Sequence, residues 1–359
     1  MRTAVVSDLH LGSLAGGDVA ARPATRERLA ESLAAADRVV LLGDVLELRE
    51  RRVAESLAYV RPFFEALNET LAGRVVVLVP GNHDHALAEP WLARLRLEGR
   101  LLEPHNEWSV EPGDGPAGRL AALMPDVELS LAYPGLFLRP DLYATHGHYL
   151  DLHLTVPRLE SIGATAMGRL TRRGPSAVSA ADYEAVLAPM YAFFHGLAEA
   201  APASALRRGG TLSRGVWERV NGHGGAGRML LGRITIPAAV AALNRLGLGP
   251  LRAELTGEEL RRAGLAAMRR VAGALAPGAE HVLFGHTHRA GPLPHDDAAD
   301  WRTPGGTRLW NTGTWLYEPS FVTGPDRRNP YWPGTVLHLD ETGEPRLDNV
   351  LEELPALAS

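Results

Sequence analysis

Residues 3–10 read Thr3-Ala4-Val5-Val6-Ser7-Asp8-Leu9-His10, a short β-forming run that leads straight into Asp-x-His. The same junction recurs where Arg38-Val39-Val40-Leu41-Leu42 meets Gly43-Asp44, and where Arg74-Val75-Val76-Val77-Leu78-Val79 precedes Gly81-Asn82-His83-Asp84. Apolar runs of this length read as buried strands. The polar residues therefore fall at strand C-terminal ends, the edge where open α/β sheets bind ligands.

Two later runs repeat the pattern: Asp141-Leu142-Tyr143-Ala144-Thr145 before His146-Gly147-His148, and His281-Val282-Leu283-Phe284 before Gly285-His286-Thr287-His288. Glycine stands beside a polar residue at Gly43, Gly81, Gly147 and Gly285, where a chain can turn sharply and let backbone approach an ion. Asp, His and Asn are the oxygen and nitrogen ligands that divalent first-row metals take, here in the number that two adjacent ions need. An isolated Asp-x-His more often caps a helix or fills a turn. The ordered set of five carries the metal reading.

In this order the islands resemble the calcineurin-like metallophosphoesterase superfamily, whose pattern runs Asp-x-His, Gly-Asp-x-x-Asp, Gly-Asn-His-(Asp/Glu), His, Gly-His-x-His. The resemblance covers residues 1–150 and 277–340, approximately. Ser7-Asp8-Leu9-His10-Leu11-Gly12, Gly285-His286-Thr287-His288-Arg289 and Asn311-Thr312-Gly313-Thr314-Trp315 are most similar to the branch containing UDP-2,3-diacylglucosamine pyrophosphatases. The superfamily implies an α/β fold, an αββα sandwich of two facing mixed sheets flanked by helices, with a dinuclear site at their C-terminal edge.

Carried onto this chain, the resemblance implies one metal held by Asp8, His10 and His288, a second held by Asn82, His146 and His286, and Asp44 bridging the two. His146 is preferred to His148 because the family position is the first His of His-Gly-His. Manganese is the foremost metal, with iron, zinc, magnesium, nickel or cobalt as alternatives. The bridging role also follows from chemistry: a carboxylate can span two cations roughly 3.5–4 Å apart, whereas a neutral imidazole binds through one nitrogen. The chain departs from the family at Glu47, which stands where an Asp often orients the catalytic His. Asp84 is the alternative orienter.

Two such cations lower the pKa of a shared water and present it for in-line attack on phosphorus. His83 follows ligand Asn82 and is not needed as a ligand, so it is the expected acid or transition-state stabiliser. The expected activity is hydrolysis of a phosphoester or pyrophosphate, with a nucleotide-sugar or lipid-linked phosphate as substrate. The rivals are a metal-dependent nuclease or phosphodiesterase, and a non-catalytic scaffold of the same fold.

The 359-residue chain is 45% hydrophobic and 22% charged, which is ordinary for a folded globular protein and argues against disorder. With no cysteine, neither a disulfide framework nor a thiolate zinc site is available. Met1-Arg2-Thr3-Ala4-Val5-Val6 enters the first ligand strand at once, leaving no room there for a signal peptide. The expectation is a cytoplasmic protein, with peripheral contact at the inner membrane face through the insertion left open. All 37 basic residues are Arg, which reads as coding bias rather than chemistry.

The metallophosphoesterase core is expected over 1–150 and 277–345, and a helix-rich insertion over 151–276. That stretch is far longer than an ordinary connection between strands. Residues 180–194 have apolar positions at helical spacing, and Thr256-Gly257-Glu258-Glu259 opens another helix with a capping box. Residues 152–275 hold 16 Arg against 8 acidic residues. A basic cap over an acidic core would draw in anionic substrates, although Arg pairs such as Arg172-Arg173 and Arg207-Arg208 are equally ordinary on a solvated surface. No aromatic-basic surface suggests nucleic acid as a partner. His85 and His153 are candidates for steering ligands by hydrogen bonds. Oligomeric state is open.

Overall fold

The computed structural model describes residues 1–155, 159–170, 177–200, 257–322 and 324–351. Successive side chains of a strand face opposite sides of its sheet, and here both sides are apolar. Along β1 (Thr3–Val6), β2 (Arg38–Leu42) and β3 (Val75–Val79), the alternate residues Val5, Val40, Leu42, Val77 and Val79 enter one buried cluster. Ala4, Val6, Val39, Leu41, Val76 and Leu78 enter another. Strands buried on both faces are those of a covered parallel sheet, and β1, β2 and β3 pair in parallel.

Further strands are β4 (Glu107–Ser109), β5 (Glu128–Ala132), β6 (Gly135–Arg139), β7 (Leu142–Thr145), β8 (His281–Phe284), β9 (Arg308–Asn311), β10 (Thr335–Leu339) and β11 (Arg346–Asn349). They complete a seven-stranded sheet in the order β11-β10-β1-β2-β3-β5-β4 and a four-stranded sheet in the order β6-β7-β8-β9. Leu136, Leu138, Leu142, Ala144 and Leu283 from the small sheet meet Val5, Val40 and Val77 from the large one. The two sheets thus pack face to face, and the expected sandwich is present. Both closing strands form, but on different sheets: β9 lies parallel to β8, while β10 lies antiparallel to β1.

Helices α1 (Pro23–Leu33) and α2 (Val53–Leu71) bring Leu29, Leu33, Val60, Phe64 and Leu67 onto the outer side of the large sheet. Shorter helices follow at α3 (Glu89–Leu97) and α4 (Gly115–Ala121). Within the expected insertion lie α5 (Leu159–Leu170), α6 (Ala180–Ala200) and α7 (Gly257–Leu275), so the helices anticipated from 180 and from 257 both form. Helix α6 buries Tyr183, Glu184, Val186, Leu187, Met190 and Tyr191, and leaves Phe193 exposed. Thr256, Arg172-Arg173, Arg207-Arg208, the glycine breaks at 209–210, 222 and 224–225, and the apolar stretch 228–234 lie outside the described residues. Among the described residues, no helix is long and apolar enough to cross a membrane.

Candidate metal centre

Asp8 and His10 leave β1, Asp44 leaves β2, Asn82 and His83 leave β3, His146 leaves β7, and His286 and His288 leave β8. All five strand ends point to one place. Among the described residues, the non-glycine residues with positive φ are Asp8 (54°), His10 (43°), Asp44 (49°), His286 (64°) and His288 (59°). That region is sterically disfavoured for L-residues, and such strain collects where function over-determines the backbone. Every one of the five is an expected ligand.

The turns are stitched to one another rather than left as free loops. Asp8 N–H donates to Gly43 O (3.0 Å), His10 N–H to Asp44 O (2.8 Å) and Leu11 N–H to Val45 O (2.9 Å). The buried Asp84 carboxylate accepts the N–H groups of Gly81 (2.7 Å), Val45 (2.8 Å), Leu46 (3.2 Å) and Asp44 (3.3 Å). Asp84 therefore braces the β2 and β3 turns and is not the orienter of His83. Glycine is required at Gly43, where φ is +83° and a Cβ would collide with the His146 ring.

Asp8, His10 and His288 bring one ligand atom each to within 4.8 Å of one another, as do Asp44, His146 and His286. Asp8 Oδ1 lies 3.3 Å from both His146 Nε2 and His288 Nε2. Asp44 Oδ2 lies 3.5 Å from His146 Nε2 and 3.8 Å from His10 Nε2. Each histidine has an acceptor for its other nitrogen, the arrangement that leaves a lone pair facing a metal. His10 Nδ1 meets Glu47 Oε2 (3.2 Å), His286 Nε2 meets Asp151 Oδ1 (3.0 Å), His146 Nδ1 meets His148 Nδ1 (3.2 Å), and His288 Nδ1 faces Glu318 Oε2 at 3.7 Å.

Asn82 supplies the test of whether a cation fits. Its amide oxygen lies 3.2 Å from Asp44 Oδ2 and 3.1 Å from His286 Nδ1 while its amide nitrogen faces Arg49 Nη1 at 3.2 Å, so the oxygen meets acceptors and the nitrogen meets a donor. Turned over, the amide donates to Asp44 Oδ2 and His286 Nδ1 and accepts from Arg49 Nη1. In the first orientation its oxygen joins Asp44 Oδ2 and His286 Nδ1 as a set of ligand atoms that a divalent ion takes.

Residues 1–173 match the calcineurin-like phosphoesterase family. No curated protein matches the chain. The matched stretch contains Asp8, His10, Asp44, Asn82, His83 and His146, while His286 and His288 arrive from beyond it on β8. The family's chemistry is metal-dependent phosphoester hydrolysis, and the clustered Asp and His groups are of the kind that holds its metals.

The electrostatics of this centre call for positive charge. Burial, with Asp84, Asp8 and Glu47 nearby, pushes the Asp44 carboxyl well above its usual range. Burial alone would lower His288, but Asp8 and Glu318 outweigh it and raise the ring to about 10. The raised His288 ring and the raised Asp44 carboxyl both answer a shortage of cationic charge. Burial would raise Asp8 too, yet its contacts with His146 and His288 hold it well below the ordinary carboxylate range.

His83 is the site histidine most open to solvent, its side chain 22% exposed against 16% for His288 and 4% for His10. A substrate can therefore reach it. Its Nδ1 lies 2.7 and 2.9 Å from the two oxygens of Glu47, so the longer carboxylate does reach the ring, and it holds His10 as well. Burial lowers His83 to about 4, with Glu47 opposing and Arg49 reinforcing the shift. The resting ring is neutral, with Nδ1–H on Glu47. Arg49 Nη1 meets the exposed Nε2 at 3.3 Å while its guanidinium lies 4.4 Å over the Phe194 ring of α6.

Sequence reasoning gave no role to Arg49, Asp151, Glu184 or Glu318, none of which sits in a motif. His148 turns away from the cluster to meet Tyr133 OH (3.2 Å), so the preferred His146 is the residue brought in. His85 bonds Glu184 (2.8 Å) and His153 bonds Tyr183 OH (2.7 Å), so neither touches an expected ligand directly. Asp141, Glu280 and His281 form a further group elsewhere. There Trp310 Nε1–H donates to His281 Nδ1 (3.1 Å), which puts the ring's own proton on Nε2 and disfavours a metal at that nitrogen.

Proposed function

We propose that the protein is a dinuclear metal-dependent hydrolase of phosphoester or pyrophosphate bonds, with manganese as the first metal to test. The convergence of Asp8, His10 and His288, and of Asp44, His146 and His286, each with ligand atoms within 4.8 Å of one another, carries this reading. Asp8, His10 and His288 would hold one ion, Asn82, His146 and His286 the other, and Asp44 both. When bound, the ions supply a water-derived nucleophile at neutral pH and offset charge on the phosphoryl oxygens.

The chain's own groups do the remaining work. Arg49 presents Nη1 beside the exposed edge of His83, where a non-bridging phosphoryl oxygen would take its hydrogen bond. An anion at that edge favours the charged imidazole. His83 then takes a proton on Nε2 with Nδ1–H still on Glu47, and passes it to the leaving oxygen. Asp84 keeps the β2 and β3 turns in register, so that Asn82 and His83 stay aligned with Asp44.

The narrower likeness to the UDP-2,3-diacylglucosamine pyrophosphatase branch makes a nucleotide-sugar pyrophosphate the first substrate to try. Phe194 of α6, stacked over the Arg49 guanidinium at 4.4 Å, supports a substrate with a bulky organic part. Peripheral membrane contact through the insertion belongs to the same reading, with Phe193 and Leu197 exposed one turn apart on α6. Hydrolysis should be measured for a phosphomonoester, a phosphodiester, single-stranded DNA and a nucleotide-sugar pyrophosphate, with Mn²⁺ and with chelator. Activity that is indifferent to chelation, or equal in Asp44→Ala and wild type, would overturn the proposal.

A further inference from the structure

Glu184 lies on α6, inside the long stretch between the fourth and fifth islands, and is buried. One carboxylate oxygen meets His85 Nε2 (2.8 Å), and the other accepts the hydroxyl protons of Tyr133 (2.7 Å) and Tyr149 (3.0 Å). Burial pushes this carboxyl up, but the charge and hydrogen bond of His85 outweigh it and keep Glu184 ionised. An ionised carboxylate only accepts. The direction of every hydrogen bond beyond it follows.

Tyr133 directs its proton to Glu184, so its oxygen is left to accept from His148 Nε2, 3.2 Å away. His148 therefore carries its proton on Nε2. A neutral imidazole has one N–H, so His148 Nδ1 must accept, and the proton comes from His146 Nδ1 at 3.2 Å. That leaves the lone pair of His146 on Nε2, the atom that faces Asp8 Oδ1 and Asp44 Oδ2. The other candidate histidines meet a carboxylate directly; His146 reaches one through two intervening side chains.

We propose that Glu184, through Tyr133 and His148, sets the tautomer of His146, making the insertion helix α6 a positioning element of the metal centre as well as a cap. This rests on the dinuclear reading above. The register of α6 would then be coupled to metal affinity. A lid that only selected substrate would carry no such coupling.

The test is equilibrium binding of Mn²⁺ to the full chain, by titration calorimetry and dialysis, for wild type, Tyr133→Phe, Glu184→Gln and the double variant. Tyr133→Phe keeps ring and volume, so it decides the matter even where Glu184→Gln fails to fold. Wild type is expected to hold two ions. Each single variant should weaken one of the two sites about 10- to 100-fold and leave the other unchanged, with turnover restored by excess Mn²⁺. The double variant should be no worse than the weaker single by more than roughly twofold, because residues acting in one chain are not additive. Wild-type affinity at both sites in Tyr133→Phe, even with a lowered melting temperature, would overturn the proposal, as would losses that multiply in the double variant. No Mn²⁺ binding by wild type would instead overturn the dinuclear reading beneath it.

Discussion

Glu47→Gln removes one charge and almost no volume at a buried residue that serves two rings, His83 at 2.7 Å and His10 at 3.2 Å. Glu47 Oε2 accepts from both rings, while Oε1 accepts the Arg49 backbone N–H at 3.1 Å and lies 2.9 Å from His83 Nδ1. A carboxamide has one oxygen, so its NH₂ faces either both rings or the Arg49 N–H, and a charge-assisted contact is lost either way. The loss is one charge-assisted hydrogen bond, about 1.5–3 kcal/mol. At 1.36 kcal/mol per tenfold, that is roughly 10- to 150-fold. The assay is hydrolysis of a chromogenic aryl phosphodiester by the Mn²⁺-loaded protein, with bound metal measured in parallel. With NH₂ at the Oε2 position, kcat and Mn²⁺ affinity should both fall; with NH₂ at the Oε1 position, the looser His83 should lower kcat at full metal occupancy. If kcat and affinity both stay within roughly twofold of wild type, Glu47 orients neither ring, and the reasoning from its two contacts fails.

Arg49→Ala should lower kcat/KM about 10- to 100-fold through loss of a charge-assisted contact to phosphate, and inorganic phosphate should inhibit it more weakly. Arg49→Lys should recover only part, because an ammonium cannot both stack on Phe194 and reach His83 as a planar guanidinium does; steady-state kinetics checks both. Gly43→Ala should destabilise the metal-free protein by roughly 1–3 kcal/mol in urea unfolding, since alanine is strained at φ +83° and its Cβ meets His146. Metal uptake should release protons: His288, raised to about 10, is protonated near neutral pH without metal, and the raised Asp44 carboxyl shifts in the same direction. Mn²⁺ affinity should therefore rise with pH, and calorimetry in buffers of different ionisation enthalpy should count the protons, with none released as the contrary result.

The strands carrying the centre were legible because two local signals coincide at each of them. β1, β2, β3, β7 and β8 are apolar runs of four or five residues, and each ends at a residue type that metal chemistry demands. By contrast β4, with exposed Glu107 and Ser109, offers no such run. The destination of β10 was also illegible, since nothing in Thr335–Leu339 says that it inserts beside β1 in the large sheet while β9 joins the small one. Pairing partners are chosen by the packed assembly, not by the strand.

What the sequence by itself determined was the candidate ligand set and its order: Asp8, His10, Asp44, Asn82, His146, His286 and His288, each at the end of a strand, at the kind of turn that metal coordination favours. Only the tertiary structure decided what stands behind those ligands. It put Glu47 rather than Asp84 on His83, Asp151 on His286, and Glu184 at the end of a chain leading to His146. The physical reason is that a ligand must be one of a few residue types at a defined turn, so it leaves a motif. Its outer partner need only be an acceptor about 3 Å from the second nitrogen, and any element that packs close enough can supply one.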